Sequence, residues 1–166
     1  MELRKADIED LDIIIDIYRK AIQEMNRKNI YQWDEIYPDQ VVLKQDVLNR
    51  QMYVGIMDKV IVSAVVINRK FDEEYRYGCW KYDRFAVVHR LCVDPIYQHQ
   101  KVGKGTMTKI EELLRTEGIQ SIRLDTFSLN PYALKMYEAL GYQKTGEVNF
   151  RKGLFYLLEK SLEVKE

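Results

Sequence analysis

Leu91-Cys92-Val93-Asp94-Pro95-Ile96-Tyr97-Gln98-His99-Gln100-Lys101-Val102-Gly103-Lys104-Gly105-Thr106 runs from an apolar stretch through a proline stop into a glycine-punctuated turn. Phe85 to Val93 reads as a strand, and Asp94-Pro95 ends it because proline cannot donate to a sheet ladder. Helical spacing resumes with Val102, Met107, Ile110, Leu113 and Leu114 on one face, and Gly118 marks the stop. Small residues at a helix start let backbone N–H groups and the positive end of the dipole approach a phosphate. Lys101 and Lys104 add positive charge there. A Walker A loop would need glycine at Gln98 and Ser or Thr at Gly105, and a dinucleotide fingerprint would need a small residue at Thr108, so ATPase and NAD readings weaken.

Outward from this turn, strand and helix signals alternate. Leu3 to Ala6 reads as a short first strand. Asp7 caps a helix with Asp10 as its partner, and Leu11, Ile14, Ile15, Tyr18, Ile22 and Met25 form its apolar stripe. Asn29 to Asp39, with Trp33, Glu35 and Tyr37, is too aromatic for a plain connector and is expected to face a ligand. A second helix is predicted from Asp39 to about Arg50. Met52–Met57 and Val60–Asn68 form a hairpin turning at Asp58-Lys59. Arg69 to Arg84 is dense in charges and aromatics and is expected to be a solvated loop rather than a substrate lid. Ile122 to Thr126 is the next strand. A helix opened by Asn130-Pro131 ends at Gly141, and two strands follow near Tyr142–Val148 and Leu154–Lys160. The pattern is α/β with a mixed sheet.

The chain has 166 residues, with 26 Lys+Arg against 26 Asp+Glu. Its size suits one domain over residues 1–166, and no repeat or linker suggests a second. Zero net charge disfavours bulk nucleic-acid binding. The 46% hydrophobic and 31% charged residues argue against disorder. The longest mainly apolar run, Val60 to Ile67, is too short to span a membrane. Acidic Asp7, Glu9 and Asp10 close to Met1 do not fit a secretory signal, so a cytoplasmic setting is expected. Cys79 and Cys92 make no disulfide framework, and no Cys/His spacing suggests a metal.

The strand Leu91 to Pro95, the turn after it, and the block Asn130-Pro131-Tyr132-Ala133-Leu134-Lys135-Met136-Tyr137-Glu138-Ala139-Leu140-Gly141-Tyr142 together resemble the GNAT superfamily of acyl-CoA-dependent N-acetyltransferases. That family's phosphate loop reads Gln/Arg-x-x-Gly-x-Gly/Ala, and its second signature reads Asn-x-x-Ala-x-x-x-Tyr-x-x-x-Gly-Phe/Tyr. The resemblance covers nearly the whole chain. It implies a mixed, mostly antiparallel central sheet of about seven strands with about four helices. Two registers fit the loop, Gln98-x-x-Lys101-x-Gly103 and Gln100-x-x-Gly103-x-Gly105. The first keeps the family's distance from Pro95 and is favoured, with lysine where glycine is usual.

By the same resemblance, acetyl-CoA is the cofactor and a primary amine of a small molecule or peptide is the acceptor. The cofactor would be held by Gln98, His99, Gln100, Lys101, Val102, Gly103, Lys104, Gly105 and Asn130, with backbone N–H groups near Leu91, Cys92 and Val93 freed by a bulge. Tyr137 matches the tyrosine near the cofactor sulfur that acts as general acid; Tyr132 and Tyr142 are expected to be packing residues. His89 stands where the family often has a glutamate base, and imidazole titrates in a range suited to deprotonating an amine. Alternation would place it on the same face as Leu91, so a structural histidine fits equally. Trp33, Glu35 and Tyr37 are candidates for acceptor recognition. Cys92, on a buried strand, reads as a small hydrophobe, which favours direct attack in a ternary complex over a covalent intermediate. A non-catalytic acyl-CoA-binding or regulatory module and an atypical nucleotide-binding domain are the competing readings. The last two strands could pair across a homodimer.

Overall fold

Asp7 accepts the role its sequence context suggests, with a 3-10 turn inserted before the first long helix. Its backbone N–H donates to Asp10 Oδ2 (2.8 Å), and Asp10 N–H returns a bond to Asp7 O (2.9 Å). The turn Ile8–Asp10 then passes directly into α1 (Leu11–Arg27). The computed structural model describes residues 1–70 and 73–164. Phe71 and Asp72, inside the expected Arg69–Arg84 loop, lie outside the described residues, as do Lys165 and Glu166.

The strands are β1 (Glu2–Lys5), β2 (Met52–Met57), β3 (Val60–Asn68), β4 (Phe85–Val93), β5 (Ser121–Phe127), β6 (Gln143–Phe150) and β7 (Gly153–Ser161). The other helices are α2 (Gln40–Leu48), α3 (Val102–Thr116) and α4 (Pro131–Ala139). The seven strands form one sheet in the order β1-β2-β3-β4-β5-β7-β6. The β1–β2, β2–β3, β5–β7 and β6–β7 pairs are antiparallel, whereas β4 and β5 run parallel. This is the mixed sheet read from the sequence pattern, and its mostly antiparallel pairing with four helices is what the family resemblance implied.

Two compact units divide the chain, Met1–Ile67 with Arg90–Lys109 and Asn68–His89 with Ile110–Glu166. In the first, Ile14, Ile17, Tyr18 and Ala21 of α1 pack in one core with Leu43 and Val47 of α2 and with Met52, Val54, Ala64 and Val66 of the β2–β3 hairpin. Each fully buried aliphatic side chain of this kind contributes roughly 1.5–3 kcal/mol. The hairpin turns on Asp58 (φ +50°) and Lys59 (φ +66°), the left-handed pair that matches strand twist in a two-residue connection. Asp39 caps α2 by accepting from Val42 N–H (2.9 Å).

In the second unit, β5 lies between β4 and β7, paired along its length with β7 from Ser121↔Ser161 to Phe127↔Phe155. Its ladder with β4 covers only Phe85–Val87 against Ser121–Arg123. Asn130 caps α4 by accepting from Ala133 N–H (3.1 Å). The Arg69–Arg84 segment is not a plain solvated loop: its 3-10 turn Glu73–Tyr77 buries Tyr75 completely. Cys79 N–H donates to Thr145 O (3.0 Å), joining the segment to β6. Gly146 permits that approach, since a Cβ there would fall 2.7 Å from Tyr77 O.

Candidate functional site

In the first unit, β4 carries a break in its pleat at Arg90, whose φ is +53°. A left-handed residue inside a strand is the mark of a bulge, which leaves neighbouring N–H groups out of regular pairing. The break directly precedes Leu91, Cys92 and Val93. It also interrupts the two-residue period from which a common face for His89 and Leu91 was expected. Such a conformation costs about 1–2 kcal/mol outside glycine, and the side chain of Arg90 is held firmly. Its guanidinium donates to Asp46 at Oδ2 (3.1 Å) and Oδ1 (2.7 Å) and to Tyr37 Oη (2.7 Å). The buried Tyr18 hydroxyl donates to Arg90 O. Burial raises the Asp46 carboxyl against the pull of Arg90. Neither Arg90 nor Asp46 carried a motif that sequence reading could use.

After Val93, Asp94 turns the chain by accepting from Ile96 N–H (3.1 Å). His99 (φ +66°) and Lys101 (φ +60°) are both left-handed, and α3 starts at Val102. Position 101 therefore has the backbone that usually selects glycine, while Gly103 lies inside the helix. The first helical bond of α3 is Gly105 N–H to Lys101 O (2.9 Å). The amides of Val102, Gly103 and Lys104 precede it and have no acceptor inside the helix. With exposed Lys101 and Lys104 beside them, these donors suit an anion such as a pyrophosphate. Lys28, at the end of α1, donates to Gln98 Oε1 (3.3 Å) and lies 3.5 Å from Glu24. It brings a further cation to the loop, across a sequence separation that hid it from motif reading.

The remaining first-unit candidates sort by burial. Cys92 is buried, donates weakly to Ile17 O (3.9 Å), and burial with Asp94 nearby pushes its thiol well up, so it is no ready nucleophile. Trp33, expected at the acceptor site, is a core residue instead, 8% exposed with its ring 5.6 Å from that of Tyr18. The apolar core was a nearer home for that indole than solvent. Glu35 is exposed, and Tyr37 is exposed but tied to Arg90.

In the second unit, Tyr137 on α4 is 7% exposed. Tyr142 meets its ring edge-on at 5.3 Å and donates to Glu111 Oε1 (3.3 Å), while Lys160 donates to Oε2 of the same carboxylate (2.8 Å). Burial, aided by the charge of Asp125, pushes the Tyr137 phenol well up, so it stays protonated and able to donate. Tyr142 is the packing residue expected, whereas Tyr132 is 56% exposed. The Oδ1 of Asn130 is engaged by the α4 cap. His89 Nε2 lies 2.9 Å from both Asn68 Oδ1 and Lys70 O. A carbonyl only accepts, so Nε2 carries the hydrogen in that contact and is not the atom that would take a proton. Among the described residues no group of His, Cys, Asp and Glu is arranged to hold a metal ion, and no helix is long and apolar enough to cross a membrane.

Residues 15–142 match the model of the acetyltransferase (GNAT) family. The chain belongs to that family. Among curated GNAT relatives, the spermidine N(1)-acetyltransferase of Thermoplasma acidophilum is 22% identical over 98% of each chain. The [ribosomal protein bS18]-alanine N-acetyltransferase of Haemophilus ducreyi is 28% identical over 47% of this chain and 52% of its own. The fold matches a GNAT-family acetyltransferase of Streptococcus agalactiae with a TM-score of 0.86, at 22% identity over 98% of this chain and 96% of that one.

Proposed function

We propose that this GNAT member transfers the acetyl group of acetyl-CoA to a primary amine of a small molecule or peptide, by direct attack in a ternary complex. The observation that carries the reading is the loop Gln98–Gly105, where left-handed Lys101 delivers three amides ahead of the first helical bond of α3. Those amides with Lys101 and Lys104 would hold the pyrophosphate, with Gln98, His99, Gln100, Gly105 and Asn130 contributing. Backbone N–H groups at Leu91, Cys92 and Val93, beside the Arg90 break, would pair with the acyl arm and its oxyanion. When bound, acetyl-CoA supplies the activated thioester carbonyl. Tyr137, kept protonated by burial, gives its phenolic proton to the departing sulfur. His89 would serve chiefly as a lock between Asn68, Lys70 and β4, with any part in proton removal falling to Nδ1. Tyr37 and Glu35 would border the acceptor.

The relatives are named for acetylating spermidine and an alanine of ribosomal protein bS18, which supports a primary amine as the acceptor class. A family match running through both compact units supports a single catalytic domain over residues 1–166. A cytoplasmic setting, where acetyl-CoA is made and used, belongs to the same proposal. In a homodimer through the last strands, β6 would be the pairing edge, because β7 is already paired with β5 and β6. A second reading, an acyl-CoA-binding or regulatory module without turnover, is favoured only by Lys101 standing at the glycine position.

Calorimetric titration with acetyl-CoA, with ATP and NADH as controls, tests the cofactor, and thiol release across polyamines and an alanine-ended peptide tests the chemistry. Dissociation constants near micromolar, about −8 kcal/mol, for acetyl-CoA alone are expected. Binding with no turnover on any amine selects the second reading, and preference for ATP overturns both.

A further inference from the structure

Asp125 is the carboxylate that neither signature motif singles out. It sits on β5 two residues past Arg123, where the ladder with β4 ends. Cross-strand pairs share a side of the sheet. Arg123 opposite Glu159, Asp125 opposite Leu157 and Phe127 opposite Phe155 therefore define one face of β5, and Ile122 opposite Lys160 belongs to the other. The Glu73–Tyr77 turn reaches the Asp125 face: the Tyr75 hydroxyl donates to Asp125 Oδ2 at 2.6 Å. That phenol is itself fixed. Trp80 stacks on it at 5.5 Å and donates its indole N–H to Tyr75 O (2.6 Å), while covering Arg123 at 4.8 Å. Gly78 allows this, because a Cβ there would fall 2.5 Å from the Trp80 ring. Asp125 itself remains half-buried.

We propose that Asp125, aimed by the Tyr75 hydroxyl, receives the ammonium of the acceptor and takes its proton. The proposal rests on the N-acetyltransferase reading and adds to it a catalytic carboxylate and a cationic acceptor. An ammonium bound to a carboxylate of fixed orientation gains a charge-assisted hydrogen bond. Moving one proton from nitrogen to Asp125 then frees the lone pair. The proton passes from Asp125 to solvent. The second proton that the amine sheds replaces the one Tyr137 gives to sulfur, so the count closes with no further reactant. Among the described residues, the titratable groups placed toward Asp125 include Tyr75 on the turn, Arg123 on its own face of β5, Glu159 opposite Arg123 on β7, and Tyr137 on α4. Tyr75 is a positioning residue. The segment 73–80 becomes part of the acceptor site instead of a solvated connector.

The test uses the full chain with Asp125→Asn, Asp125→Glu and Tyr75→Phe. The first readout is calorimetric titration with putrescine, a short alkyl diamine, without coenzyme A and with butanol as the uncharged control. Asp125→Asn is expected to weaken putrescine about tenfold or more, the loss of a hydrogen bond to a charged group. Asp125→Glu should restore much of it, which also covers poor folding of the amide variant. The second readout is thiol release against pH. The variant should lose about 100-fold in kcat together with the acid-side fall of kcat/KM, and Tyr75→Phe should shift that fall while losing less. Wild-type affinity for putrescine in Asp125→Asn, an unchanged pH profile, or no putrescine affinity in a wild-type protein that binds coenzyme A each overturns this proposal alone. A wild-type protein with no affinity for coenzyme A removes the N-acetyltransferase reading and this proposal with it.

Discussion

Arg90 and Asp46 form a two-point ion pair, Nε to Oδ2 at 3.1 Å and Nη2 to Oδ1 at 2.7 Å, at a β4 residue whose φ is +53°. The pair therefore anchors a strained backbone as well as joining β4 to α2. Both side chains are nearly buried, 13% and 10% exposed. Removing one partner strands the other charge, which costs about 3–5 kcal/mol. Asp46→Leu is expected to lose stability on that scale in urea unfolding. Adding Arg90→Gly should return part of the loss, because glycine accepts the left-handed backbone and no guanidinium is left alone. A double variant weaker than Asp46→Leu would refute the coupling.

Tyr137→Phe tests the general acid. Its phenol is held protonated by burial, so no loss of rate from its ionisation is expected across neutral and moderately basic pH. The variant should lose about 100-fold or more in turnover, with coenzyme A affinity unchanged by calorimetry. Turnover equal to wild type would remove the assignment.

Lys101 occupies a glycine-type conformation at φ +60°. Lys101→Gly is expected to raise stability by about 1 kcal/mol through relief of that strain. Lys101→Ala keeps the strain and removes the charge, so weaker coenzyme A binding in both variants would assign the effect to charge. Loss in the alanine variant alone would assign it to backbone shape.

Acid sensitivity should include Asp10. Arg4 bonds it twice, at 2.8 and 3.1 Å, and holds its carboxyl below the ordinary value of 3.8. A depressed carboxylate stabilises the fold above its unfolded value and loses that contribution as pH falls through the folded one. Half-exposed Arg4 is screened by solvent, so the effect is about 1 kcal/mol. Asp10→Asn should therefore lower the melting temperature at neutral pH, and the difference from wild type should shrink as pH falls below the ordinary carboxylate value.

Most of the element plan was legible because its signals are local. Asp58-Lys59, Asp94-Pro95, Gly118 and Asn130-Pro131 each act on their own few residues, and the apolar stripes of α1 and α3 report their period directly. The Gln98–Gly105 turn and the Asn130–Tyr142 block carried the family in the same way. Trp33 was misplaced because an aromatic loop residue looks alike whether its partner is a ligand or Tyr18. The buried Tyr75 in the Glu73–Tyr77 turn was hidden among charges for the same reason.

The amino-acid order by itself determined where strands and helices start and stop and which turn leads into α3 with amides ahead of its first helical bond, since propensity, capping and periodicity are properties of neighbours in the chain. Only the tertiary structure decided that Arg90 breaks its strand against Asp46, that His89 spends Nε2 on Asn68 and Lys70, and that Tyr75 aims Asp125. Those pairs lie 44, 21, 19 and 50 residues apart in sequence. Hydrogen bonds reach about 3 Å in space and carry no trace along the chain.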